Sequence, residues 1–288
     1  MSAPLRLLVA ESEPPAARET RRESVGRSSG ETFLKRLGEL VPDAICERVK
    51  PADHDAASPA AGIDGYDGVI LTGSPLHLYE DTPEARREID FMRAVYRSGT
   101  PAFGSCAGLQ VAVVAAGGAV RSMGERREAG FARRIVRQPA GQDHPLLAGR
   151  PPAYDVPAVH SDEVATLPAG GTLLASNGVT AVQAAEIRHD GGIFWGVQYH
   201  PEISLREVAA ALRRQSDDLV ELGLARDPLD VATQAALVEA LHEAPERRDL
   251  AWRLGLDEQV TEPLKRMTEL RNFLDRLVLP TRAARGRG

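Results

Sequence analysis

The chain has two cysteines in 288 residues, too few for a disulfide framework. It has no C-x-x-C pair and no H-E-x-x-H, and its seven histidines are scattered without ligand spacing, so no metal site is expected. Glycine motifs for a dinucleotide or a phosphate are also missing, and no cofactor is expected. No apolar run approaches the ~20 residues needed to cross a bilayer, which excludes a membrane-spanning helix. The N-terminal residues enter a strand pattern without a signal-peptide apolar region, so the expected compartment is the cytoplasm. A basic surplus is absent too. The formal net charge of −6 argues against nucleic acid as a partner, because phosphate contacts need a basic surface. No repeat occurs at solenoid periods.

What is present is ordinary globular material, 43% hydrophobic and 26% charged, enough for one large core with or without a small appendage. Residues 5–10, 44–49 and 67–72 read as strands, with Cys46 a small core residue in the second. Residues 32–40 and 83–97 have helical spacing, the latter after Thr82 as an N-cap. Further strand patterns cover 131–136, 156–159, 172–176, 181–187 and 193–198. Early alternation of strand and helix predicts a mostly parallel, doubly wound α/β sheet with flanking helices, and the later run of strands predicts an antiparallel extension. Residues 11–30, with Pro14, Pro15 and many arginines, read as a long loop or partly helical excursion.

After Glu202 no strand signal remains. Helical patterns cover 205–224, 228–242, 245–254 and 261–279, and residues 281–288 read as a frayed tail. In the last helix Leu264, Met267, Leu270, Leu274 and Leu277 form a stripe, read either as core or as a surface for a homodimer or a docking partner.

The chemistry concentrates in two segments. Residues 101–110 read as a buried strand that delivers Cys106 to a sharp turn before a helix. Gly104 and Gly108 flank it at i−2 and i+2, where a nucleophile elbow needs small residues. A thiol there is exposed at the strand's carboxyl end, and the helix N-terminus favours its thiolate. Alone, the pattern also fits a small buried cysteine in a βα turn. The second segment is a strand-like run ending in His200-Pro201-Glu202. Residues i and i+2 of extended chain share a side, and Pro201 biases His200 towards that conformation. Glu202 is then placed to accept the His200 N–H and leave the other ring nitrogen for a thiol, the base and orienter of an activated nucleophile.

Together these segments resemble the class I glutamine amidotransferase family, most of all the amidotransferase domain of GMP synthase and its free-standing relatives. The run 67–75 resembles the family's strand and oxyanion loop, 159–164 its substrate-side loop, and Gly117-Gly118 its helix stop. The likeness extends from about residue 5 to about residue 215. One departure is Gly73-Ser74-Pro75, where the family commonly has Gly-Gly-Pro; a backbone amide contact survives it, although the permitted φ range narrows. The resemblance implies a Cys106–His200–Glu202 triad and oxyanion donors from the backbone of Ala107 and of Ser74 or Gly73. It further implies contacts to the glutamyl group from Gln110 and from Val159, His160 and Ser161. His160 is not read as the base, because His200 and Glu202 already supply base and orienter.

A catalytic domain over residues 1–222 and a helical extension over 223–288 are therefore expected. The implied reaction is hydrolysis of a glutamine side-chain amide through a Cys106 thioester, with ammonia passed to a separate synthase subunit. A hydrolase of γ-glutamyl compounds using the same triad is the alternative. A non-catalytic regulatory module on this fold is a third.

Overall fold

In the computed structural model, which describes residues 3–286, the early apolar runs form a parallel sheet. Strands β1 (Arg6–Ala10), β2 (Ile45–Val49), β3 (Gly68–Leu71) and β4 (Ala102–Ser105) alternate with helices α1 (Pro15–Val25), α2 (Ser29–Leu40), α3 (Pro83–Ser98) and α4 (Ala107–Ala115). Thr82 caps α3, its hydroxyl accepting the Ala85 N–H at 3.2 Å. The chain then forms β5 (Ala119–Ser122), β6 (Glu128–Arg137), β7 (Ala153–His160), β8 (Asp162–Thr166), β9 (Gly171–Ser176), β10 (Ala184–His189) and β11 (Gly192–Val197). Nine strands share one sheet in the order β2-β1-β3-β4-β11-β10-β9-β6-β7, and β5 and β8 pair separately. Pairing is parallel from β2 through β11 and antiparallel beyond it. This is the expected α/β arrangement with its antiparallel extension.

The C-terminal part is helical: α5 (Leu205–Arg214), α6 (Ser216–Glu221), α7 (Pro228–Glu243), α8 (Arg248–Leu254), α9 (Glu258–Thr261), α10 (Pro263–Arg266), α11 (Thr268–Phe273), a π turn at Leu274–Val278 and α12 (Leu279–Ala284). The single helix expected over 261–279 is thus divided. Pro263 lacks the N–H that would continue α9, and it holds Glu262 extended at ψ 119°. Helices α5, α7 and α8 bury Val208, Leu212, Val238, Leu241 and Leu250 among themselves. Leu270, Phe273, Leu274, Leu277 and Val278 instead join the cluster under the sheet that contains Leu7, Val9 and Phe103.

The excursion at 11–30 is partly helical, the second of the two expected readings, because Pro15 starts α1 and a Ser28–Glu31 capping box starts α2. One expectation is corrected. The tail is not frayed as far as it is described. Residues 279–284 are helical, and Arg282 is buried, donating to the Ala3 carbonyl and lying 3.9 Å from Asp67 Oδ2. Residues 287 and 288 lie outside the described residues. Among the described residues no helix is long and apolar enough to cross a membrane.

The stripe of the last helix is therefore mostly core, with Met267, Leu270 and Leu274 buried and only Leu264 largely exposed, at 59%. Leu270→Ala should lower unfolding free energy by about 2–5 kcal/mol, whereas Leu264→Ala should change it by less than about 0.5 kcal/mol. Urea denaturation of the two variants checks this; equal, small effects would remove Leu270 from the core.

Candidate active site

Cys106 occupies the turn between β4 and α4 with φ 54° and ψ −113°, one of three non-glycine residues with positive φ among those described. The two flanking glycines explain how the turn is built. A Cβ on Gly108 would lie 2.5 Å from the Leu71 carbonyl oxygen, and one on Gly104 would lie 2.8 Å from the Gly108 carbonyl carbon. Any side chain at either position would push α4 off the sheet. The Cys106 N–H donates to the Val197 carbonyl at 2.8 Å, which ties the turn to the end of β11. Gly117, just past α4, has φ 91°, as a helix stop requires.

His200 follows β11, and its backbone N–H donates to the Pro157 carbonyl at 2.8 Å. Its Nδ1 is 2.7 Å from Glu202 Oε1, and the Cys106 side chain lies beside the ring. Glu202 Oε1 accepts a second bond, from the Ser105 hydroxyl at 3.1 Å, while Arg36 Nε donates to the Glu202 carbonyl at 2.8 Å. Burial alone would lower the His200 pKa. The charges of Glu202 and Cys106, with their hydrogen bonds, outweigh it and push the pKa up to about 10. The protonated form of the ring is therefore favoured beside the Cys106 sulfur.

Gly73 lies against both partners: a Cβ there would be 2.9 Å from His200 Cε1 and 3.7 Å from Cys106 Cβ. Ser74 does not have positive φ, so replacing the family's glycine introduces no left-handed strain at that position. Ala107 opens α4 directly after Cys106. Across the cleft, the Val159 carbonyl is 4.0 Å from Cys106 Sγ. Gln110 is buried and donates to the Asp162 carbonyl and to Gln198 Oε1, both at 3.2 Å. Both His160 ring nitrogens are engaged, with Nε2 2.7 Å from Glu128 Oε2 and Nδ1 2.9 Å from the Asp162 carbonyl. The Ser161 carbonyl accepts the Met123 N–H. A cleft of about 430 Å³ is lined by Cys106, His200, Glu202, Gly73, Ser74, Gln110, Val159, His160 and Ser161, so every residue expected from the sequence except Ala107 opens onto it.

Sequence reasoning missed Glu128 and Asp162. Glu128 stands opposite His160 in the β6–β7 register and also accepts from Asn177 and Gln183. Asp162 Oδ2 is 2.7 Å from His77 Nδ1. Glu128 precedes its partner by 32 residues, and only the strand pairing, never a local motif, reveals it.

Removing the Glu202 charge should disfavour the protonated imidazole, so Glu202→Gln should lower the His200 titration midpoint by roughly 1–3 pH units. Ring-proton NMR titration reads this directly, and an unchanged midpoint would remove Glu202 as the charge partner.

Comparisons with known proteins show the family. The family model for glutamine amidotransferase class-I matches residues 34–216. A gamma-glutamyl-L-1-hydroxyisopropylamide hydrolase from a Pseudomonas species is 36% identical over 283 residues, covering 96% of this chain and 94% of the relative. The glutamine-hydrolyzing GMP synthase of Leifsonia xyli is 35% identical over 174 residues, 60% of this chain and 31% of the synthase, so the chain matches about a third of that enzyme. A glutamine amidotransferase crystal structure from Thermotoga maritima shares the fold, with TM-score 0.61 and 17% identity over 93% of this chain and 98% of that one. With most of its length under the family model and a relative matched nearly end to end, this protein belongs to the class I glutamine amidotransferase family of enzymes.

Proposed function

We propose that the protein hydrolyses γ-glutamyl amides, releasing glutamate and an amine through a thioester on Cys106. The observation that carries this reading is the match to a γ-glutamyl amide hydrolase over 96% of this chain, which includes the helices after residue 223.

In this mechanism the Cys106 thiolate attacks the γ-carbonyl carbon, and the oxyanion accepts from the backbone N–H groups of Ala107 and of Ser74 or Gly73. Each such donor typically contributes ~10²–10³ in rate. The C–N bond breaks as the His200 proton passes to the departing amine. Water then adds to the thioester carbon, giving its proton back to His200, and the S–C bond breaks to free the glutamyl carboxylate and restore the thiolate. Glu202 holds the His200 ring in orientation and stabilises its charged form. Gln110 and the backbone at Val159 and Ser161 hold the glutamyl end, and His160 fixes that backbone through Glu128. The His200–Glu202 distance of 2.7 Å and the raised His200 pKa support these roles.

A second reading is favoured by the GMP synthase relatives: glutamine as substrate, with ammonia delivered to a separate synthase. Steady-state assays on the protein alone separate the two. High turnover of γ-glutamyl amides with weak use of glutamine supports the hydrolase; the reverse overturns it. Cys106→Ser and His200→Ala should each lose at least ~10³ in kcat, Glu202→Gln less, and His160→Ala least. Equal losses for His160→Ala and His200→Ala would displace His200 as the base.

A further inference from the structure

The loop after β3 rests on a buried hydroxyl. Thr72 follows Leu71, the last residue of that strand, and its backbone N–H donates to the Ala10 carbonyl at 3.1 Å. Its Oγ1 accepts the Ser12 N–H and the Ser29 hydroxyl, each at 3.0 Å, and donates to the Gly73 carbonyl at 3.0 Å. A hydroxyl has one proton and two lone pairs, so these bonds use it completely. Ser12 is held in turn, its hydroxyl donating to Oε2 of the buried Glu88 at 3.0 Å.

The peptide that Thr72 grips joins Gly73 to Ser74. It is trans, and in a planar trans peptide the C=O and the N–H point in opposite directions. Holding the Gly73 carbonyl on Thr72 therefore turns the Ser74 N–H away from Thr72. No described residue accepts that N–H, and Ser74 lines the cleft together with Cys106 and His200. Ser74 Oγ accepts the Leu76 N–H at 3.2 Å, which holds the far end of the same peptide. The Gly73 N–H belongs to the preceding peptide plane, which the hydroxyl does not grip.

We infer that Thr72 is a positioning residue whose hydroxyl aims the Ser74 N–H at the oxygen that takes up the carbonyl electron pair as the Cys106 sulfur bonds to the amide carbon. This rests on the thioester reading and deepens it, making Ser74, not Gly73, the loop's donor. The lock is needed because of Gly73. A Cβ there would lie 2.9 Å from His200 Cε1, so the close approach to the base requires glycine. Glycine leaves its own torsions loose, and the peptide after it would turn freely. Thr72 supplies from the preceding residue the constraint that Gly73 cannot supply itself. A donor fixed in advance stabilises charge as it develops, whereas a loose one must first be ordered.

The test compares the full-length wild type with Thr72→Val, which keeps the side-chain shape without the hydroxyl, and Thr72→Ser, which keeps the hydroxyl. The substrates are glutamine and γ-glutamyl p-nitroanilide. On whichever the wild type turns over, Thr72→Val should lose at least about tenfold in kcat with KM changed by less than about threefold, and Thr72→Ser should stay within about threefold of the wild type. Alkylation of Cys106 by iodoacetamide, followed by mass spectrometry of its peptide, separates aim from damage. Displacing iodide from a saturated carbon creates no oxyanion, so that rate should be alike in all three proteins. The positioning role alone is overturned if Thr72→Val keeps its kcat, as it would with the Gly73 N–H as donor. It is equally overturned if Thr72→Ser loses as much as Thr72→Val, or if alkylation slows in step with kcat. If the wild type hydrolyses neither substrate, or Cys106→Ser hydrolyses them as fast, the thioester reading falls and the positioning role falls with it.

Discussion

The active-site geometry depends on how closely α4 approaches the sheet under Cys106. Gly108 meets the Leu71 carbonyl, and Gly104 meets Gly108, at separations that leave no room for a Cβ. Only that contact lets a single residue join the strand to the helix, and so forces Cys106 to φ 54° and ψ −113°. A non-glycine residue in such a conformation is strained by about 1–3 kcal/mol, which the surrounding apolar packing must offset. Leu109, Val111, Ala112 and Val113 on α4 are all buried and supply that packing. The strain has a chemical use. It holds the sulfur at the sheet's carboxyl edge, within reach of the His200 ring and the Val159 carbonyl.

His200 is anchored from two directions. Ser105, immediately before Cys106, bonds the same Glu202 oxygen that bonds His200, so any shift of the turn is felt by Glu202. On the other side Tyr199, adjacent to His200, donates to Glu269 Oε1 at 2.9 Å. Glu269 is paired with Arg150 through two bonds, at 2.7 and 2.8 Å, in a fully buried site, and Gln259 accepts from the same guanidinium. Burial would lower the Arg150 pKa, but the Glu269 charge raises it instead. Breaking either half of such a pair strands a buried charge. The helices after residue 223 are thereby tied to Tyr199, the neighbour of His200, and not only packed beneath the sheet.

Much of this was legible in the sequence because the chemistry is written locally. The glycines around Cys106 and the proline between His200 and Glu202 each dictate a backbone geometry that needs no distant partner. The strands β5 and β8 escaped notice, since four- and five-residue segments pairing only with each other carry little periodicity. Glu128 was invisible for another reason: its link to His160 exists only through the β6–β7 register. At the C-terminus, helical spacing correctly marked Leu270 and Leu274. It passed over Pro263 and the π turn, which break the run into short pieces whose stability comes from tertiary burial.

Helix α1 illustrates a different limit. Its only buried residue is Arg18, so no apolar stripe could have marked which way it faces. It is held by ion pairs instead: Arg18 with Asp53 at 2.6 Å, Arg22 with Glu31 at 2.7 Å and Arg21 with Glu207 at 3.1 Å. The Arg22–Glu31 pair is a third exposed on both sides and so is weak and screened by salt, whereas the Arg18–Asp53 and Arg21–Glu207 pairs are largely buried. The cleft therefore has two walls of unequal stiffness. The chemical wall, formed by strand ends and α4, is fixed by close packing that tolerates no added atom. The α1 wall is fixed by charge pairing over a polar surface, which can accept new side chains without disturbing the core. The turn at Cys106 is thus held by the element whose sequence can change least.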